Sequence, residues 1–128
     1  MSVWQERVAA TDWDAVRTEL ETVGGALTGP LVAPAEAAGL AAIYPDATRF
    51  RSTIDMARYR FGEGQYRYFH RPYPEIVTEL KYALYPRLLP IARDWWTRLR
   101  RDPPWPDSFD DWLATCHRAG QTRTTALL

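Results

Sequence analysis

The chain has 128 residues, enough for one domain with its own core and short for two. Sixteen basic residues balance sixteen acidic ones, so no net field draws the chain to nucleic acid or an anionic membrane. A single cysteine, Cys116, excludes an internal disulfide and fits a reducing compartment, where it is expected as a buried structural thiol. No apolar run reaches membrane-spanning length, and Glu6 and Arg7 stand where a signal peptide would be apolar, so the expected location is cytoplasmic.

Thr11-Asp12-Trp13-Asp14 reads as a helix start, with the Thr11 hydroxyl as cap. Trp13, Val16, Leu20 and Val23 then share one face before Gly24-Gly25, which predicts a helix over 12–23. Residues 26–30 lie between breakers and suit an edge strand or a connection. Pro34 fits the first turn of a helix over 34–43 that Pro45 stops.

From Tyr44 to Pro74 aromatic, β-branched and methionine residues alternate with arginines, which predicts two or three antiparallel strands with one wet face. Gly62-Glu63-Gly64 is expected as a three-residue or bulged turn. Between Arg49 and Tyr73 six arginines stand against Asp55 and Glu63, a local excess of four positive charges. A solvated strand face that discourages edge pairing accounts for them, and an anionic ligand is the alternative.

Ile76, Val77, Leu80, Leu84, Leu88, Ile91 and Trp95 keep helical spacing, while Pro86 and Pro90 interrupt it. Two helices are therefore expected, about 75–85 and 87–100. Asp102-Pro103-Pro104-Trp105-Pro106 reads as an extended loop pinned by its tryptophan. Ser108 then caps a helix to Arg118 that Gly120 ends. The chain is thus expected to be α+β, with about five helices on a small antiparallel sheet in a single, incomplete domain over 1–128.

Chemistry is harder to find. His70 and His117 are the two histidines, and neither lies two residues from a carboxylate. Combining them with Asp55 gives no metal-ligand spacing, so both are read as structural. There is no nucleophile elbow and no phosphate-cradling loop. Glu75 with Glu79, and Asp110 with Asp111, are explained by solvation and helix capping. No residue is assigned as catalytic or as a metal ligand.

Several blocks in order nevertheless resemble a known family. They are Tyr44-Pro45-Asp46, Phe50-Arg51-Ser52, Asp55-Met56-Ala57-Arg58, Arg60-Phe61-Gly62-x-Gly64-x-Tyr66-x-Tyr68-Phe69, Leu84-Tyr85-Pro86-x-Leu88 with Ile91-Ala92, and Cys116-His117-x-Ala119-Gly120-Gln121. They resemble the amino-terminal half of bacterial non-haem iron, 2-oxoglutarate-dependent oxygenases, over about residues 25–121. The resemblance implies a double-stranded β-helix enzyme that holds Fe(II) through a His-x-Asp pair and a distal His, with a basic residue anchoring 2-oxoglutarate.

Those motifs fall after the Cys-His-x-Ala-Gly-Gln block, so the resemblance carries the ligands onto no residue here, and the chain is expected to bind no cofactor by itself. The family's next strand carries prolines that Arg123-Thr124-Thr125-Ala126 lacks, which leaves that strand open. As a support half inert alone, the chain is expected to face substrate with Arg51, Tyr66, Tyr68 and Gln121. Its expected partner is a missing catalytic half, or a second copy through an exposed sheet edge. The alternative is a small non-enzymatic module binding an anionic partner on its arginine and aromatic sheet face. Membrane contact is not expected, and nucleic acid is disfavoured by the balanced charge.

Overall fold

The computed structural model describes all 128 residues and contains five helices: α1 (Val3–Ala9), α2 (Trp13–Val23), α3 (Pro34–Ala41), α4 (Glu75–Arg98) and α5 (Phe109–Arg118). Two strands, β1 (Phe50–Asp55) and β2 (Gln65–Phe69), form an antiparallel sheet, so the class is α+β. The chain divides into two compact units. One comprises Met1–Leu31 with Thr78–Gln121, the other Val32–Val77 with Thr122–Leu128.

The first unit is helical. Ser2 caps α1 by accepting from Gln5 N–H at 3.2 Å, while the Gln5 side chain accepts from Ser2 N–H at 2.8 Å. That reciprocal pair starts a helix of seven residues that periodicity does not reveal. The cap of α2 is Asp12, whose Oδ1 accepts from Ala15 N–H, and not Thr11 as expected. Trp4 and Val8 of α1, Val16 of α2, and Ala83, Leu89 and Ile91 of α4 form the buried apolar set.

The expected break between residues 85 and 87 is absent, because α4 runs through both prolines for 24 residues. Each proline removes one backbone donor and costs about 3 kcal/mol in a helix interior. Pro86 and Pro90 lie one turn apart and are exposed, so water can reach the carbonyls they leave unpaired. Contacts on either side hold the helix. Before the prolines, Tyr82 and Tyr85 pack on Phe109 of α5 at 5.0 and 5.5 Å between ring centroids, and Tyr85 Oη donates to Pro106 O at 2.8 Å. After them, Arg93 donates to Trp105 O at 2.7 Å and pairs with Asp107 at 3.0 Å.

Trp105 stacks edge-on against Trp96 at 5.3 Å, so the proline-rich loop is pinned by its aromatic as expected. Ser108 Oγ caps α5 by accepting from Asp111 N–H. Cys116 is half-buried, short of the full burial expected.

The second unit holds the sheet. Pro34 opens α3, where Glu36 Oε1 accepts from Ala33 N–H at 2.7 Å. β1 and β2 pair with Ser52 opposite Tyr68 and Ile54 opposite Tyr66, but the register shifts between Phe50 and Ser52, with Arg51 inside the shift. Phe50 and Phe69 face each other across it, stacked at 5.1 Å, and both are buried.

The open question about the last strand is answered by pairing. Arg67 exchanges both backbone hydrogen bonds with Leu128 at 2.9 Å, Phe69 N–H donates to Ala126 O at 3.0 Å, and Tyr68 bridges Leu127, so the final segment 124–128 lies antiparallel along β2 through an isolated bridge and the sheet keeps two strands. The β1 to β2 connection is longer than the three-residue or bulged turn expected. It spans residues 56–64 and includes a 3₁₀ turn over Ala57–Tyr59.

Candidate nucleic-acid interface

Arg51, Tyr66 and Tyr68 come together on the sheet. Tyr66 and Tyr68 meet edge to face at 5.7 Å, and the Arg51 guanidinium lies 4.4 Å from the Tyr68 ring centroid. The register shift makes this possible, since strict alternation would turn Arg51 away from Tyr68. Gln121, the fourth expected substrate-facing residue, belongs to the helical unit. It is exposed, and its backbone N–H donates to Cys116 O at 2.9 Å.

Arg51 is anchored by a residue the sequence does not single out. Its Nε donates to Thr124 Oγ1 at 2.9 Å, its Nη2 to Thr124 O at 2.7 Å, and its Nη1 to Ser52 Oγ at 3.4 Å. Thr124 is buried, and its hydroxyl donates to Phe69 O. This hydroxyl therefore links β1, β2 and the final segment. Two of the five guanidinium N–H groups remain unused, which leaves Arg51 able to meet an anion while it stays fixed.

The Tyr66 phenol is held above its ordinary value, first by loss of solvation and then by Tyr68, so it stays a neutral donor across physiological pH. On the other side of β2, Arg67 lies 5.0 Å from the Tyr44 ring centroid and 5.3 Å from that of Phe50, and donates to Tyr44 O at 2.7 Å. Its Nε and the Tyr44 hydroxyl are buried without a protein partner. A residue alternating with tyrosines gave no sign of this role.

The connection between the strands adds a second aromatic group. Tyr59 and Phe61 stack at 6.3 Å with their planes 20° apart, and they are 52% and 74% exposed. Arg58 and Arg60 flank them and are also exposed.

The residues do not fit iron. No three His, Cys, Asp or Glu side chains are gathered so that they could hold a metal. His70 follows β2 with its backbone N–H on Arg49 O, and Asp55 Oδ1 accepts from Ala57 N–H at the turn. In the helical unit Asp110 accepts from the Tyr82 hydroxyl. No helix of the chain is long and apolar enough to cross a membrane.

The sheet thus carries two tyrosine rings and a fixed guanidinium group side by side. Residues 64–128 match the Oxygenase-NA family, described as an oxygenase catalysing oxidative methylation of damaged DNA, and the chain belongs to that family. The match takes in β2, α4, α5 and the final segment.

Two uncharacterized proteins of Mycobacterium tuberculosis are similar, MT2286 of strain CDC 1551 / Oshkosh and Rv2227 of strain ATCC 25618 / H37Rv. Each is 63% identical over 60 residues, which is 47% of this chain and 26% of the relative. The match thus covers about a quarter of the length of these relatives. No solved structure matches.

Proposed function

We infer that this chain is a supporting part of a 2-oxoglutarate- and Fe(II)-dependent oxygenase acting on damaged DNA, and that residues outside these 128 hold the iron and the co-substrate. The observation that carries the reading is the family match through β2, α4, α5 and the final segment, in a chain that gathers no metal-binding donor set. When bound, iron and 2-oxoglutarate together with dioxygen as the oxidant would supply the oxidising chemistry. The chain's own contribution is a rigid sheet that orients substrate.

Fixed arginines and tyrosines act by position. Arg51, held on Thr124, meets a phosphate or carboxylate without first losing side-chain freedom, and the Tyr66 phenol supplies a neutral hydroxyl donor. The sheet has β1 at one edge, and β2 at the other carries residues 124–128 through an isolated bridge. Either edge can take a further strand, from a catalytic part or from a second copy. The balanced charge makes the chain's own share of DNA affinity local to the sheet and its connection.

The test is succinate release from 2-oxoglutarate with ferrous ion. The 128-residue chain is expected to release none above background and to bind no stoichiometric iron by calorimetry. A full-length relative of the same family is expected to release succinate when given methylated oligonucleotide. Multiple turnovers by the 128-residue chain, or a full-length relative that does not use 2-oxoglutarate, would overturn the reading.

A further inference from the structure

We propose that the connection between β1 and β2 is a stacking finger for the bases of single-stranded DNA, with Tyr59 and Phe61 as the platform and Arg58 and Arg60 as contacts to the backbone phosphates. The proposal rests on the DNA-directed reading and names the place where the strand is held.

Exposure is the first argument. Phe61 and Tyr59 are 74% and 52% exposed, and their rings stack on each other. Two neighbouring aromatic rings left in water cost free energy that a compact connection avoids by turning one of them inward. Parallel rings at a tip present flat faces, and any base can stack on them without sequence readout.

Charge is the second. Arg58 and Arg60 bracket Tyr59, and Arg60 adopts a left-handed backbone with φ 59°. The segment 56–64 carries these two arginines against Glu63, and the Asp55 carboxylate next to it is turned to the Ala57 N–H. Positive side chains beside exposed rings complement a polyanion that carries aromatic bases. An apolar protein surface would gain nothing from them.

Rigidity is the third. Met56 N–H donates to Gly64 O at 2.9 Å, Phe61 N–H to Met56 O at 3.0 Å, and Arg60 N–H to Ala57 O at 3.2 Å. The Met56 side chain lies beneath the two glycines. A Cβ on Gly62 or Gly64 would sit 3.8 or 3.9 Å from its Cε or Sδ, and both glycines have φ near 120°. The tip is therefore ordered before any strand arrives, which lowers the entropic cost of binding. Behind it Tyr66 and Tyr68 carry the aromatic surface along β2 to Arg51.

The experiment is fluorescence anisotropy with a labelled thymidine oligonucleotide of about 12 nucleotides, at low and moderate salt, using the whole chain. Replacing Tyr59 and Phe61 together by Ala is expected to weaken binding roughly 5- to 140-fold for each ring–base stack lost. Arg58→Gln with Arg60→Gln is expected to make the logarithmic salt dependence about 1.4 less steep, from two phosphate contacts at ~0.7 each. All four side chains are exposed, so far-UV circular dichroism is expected to stay unchanged.

Two results overturn the finger. One is affinity unchanged by the double Ala variant. The other is polyphosphate competing as well as the oligonucleotide, which would reduce the site to charge alone. The succinate assay on a full-length relative judges the oxygenase reading separately, so either can fail while the other stands.

Discussion

The helical unit and the sheet unit are stabilised in different ways. In the first, six apolar side chains from three helices are buried together, and polar contacts such as Arg93 with Trp105 O trim the edges. In the second, the buried apolar set is Phe50 and Phe69, and what fixes the strands is a polar knot of Arg51, Thr124 and the Phe69 carbonyl. An apolar core tolerates small repacking. A knot that depends on one hydroxyl does not, because removing it strands a buried acceptor.

Measurements can break or sharpen that contrast. The largest effect is expected from Phe69→Ala, about 3–5 kcal/mol lost in denaturant unfolding, since Phe69 is 2% exposed and stacks on Phe50. A cost below about 1 kcal/mol would mean that the sheet unit owes little to its two rings.

Next comes Thr124→Val, which keeps the shape and removes the hydroxyl. It is expected to cost about 1–3 kcal/mol and to speed hydrogen exchange at the Arg67, Phe69 and Leu128 amides while leaving α4 protected. Equal acceleration in both units would erase the distinction.

A smaller effect depends on pH. The Tyr82 phenol is raised above its ordinary value of 10.0, first by its hydrogen bond to Asp110, then by burial and by the Asp110 charge. A raised folded value means that the contribution is fully present below pH 10 and is lost as pH climbs through the folded value. Tyr82→Phe is therefore expected to destabilise the chain at pH 8, and the gap from the parent should shrink above pH 10. A gap independent of pH would remove the Asp110 bond from the account.

The smallest change is expected from Arg98→Ala. Arg98 pairs with Glu21 at 3.1 Å and Asp94 at 3.0 Å, but it is largely solvated, so the cost should stay within about 1 kcal/mol and fall with salt.

Much of the fold is legible in the sequence where a local signal decides it. Ser108 before two aspartates and Pro34 after an alanine mark the starts of α5 and α3, because capping is settled within one turn. The count of five helices agrees with expectation while two of the helices differ. α1 is too short for periodicity to show, and α4 continues through Pro86 and Pro90 because distant partners, Phe109 and Trp105, outweigh a local penalty.

The candidate site divides in the same way. Tyr66 and Tyr68 share a face because they are two residues apart on a strand. The Thr124 anchor of Arg51 spans 73 residues and depends on a register shift, and alternation carries no information about either. Gln121 enters the expected site through the Cys116-to-Gln121 block of the family resemblance, and periodicity carries no information about its place.

The pairing of β2 with residues 124–128 also sets an order of events during synthesis. β1 and β2 leave the ribosome before α4 and α5, but the segment that pairs with the free side of β2 follows only after both helices have been made. A two-stranded hairpin alone is marginal in water. For that interval Phe50 and Phe69 lack part of their cover.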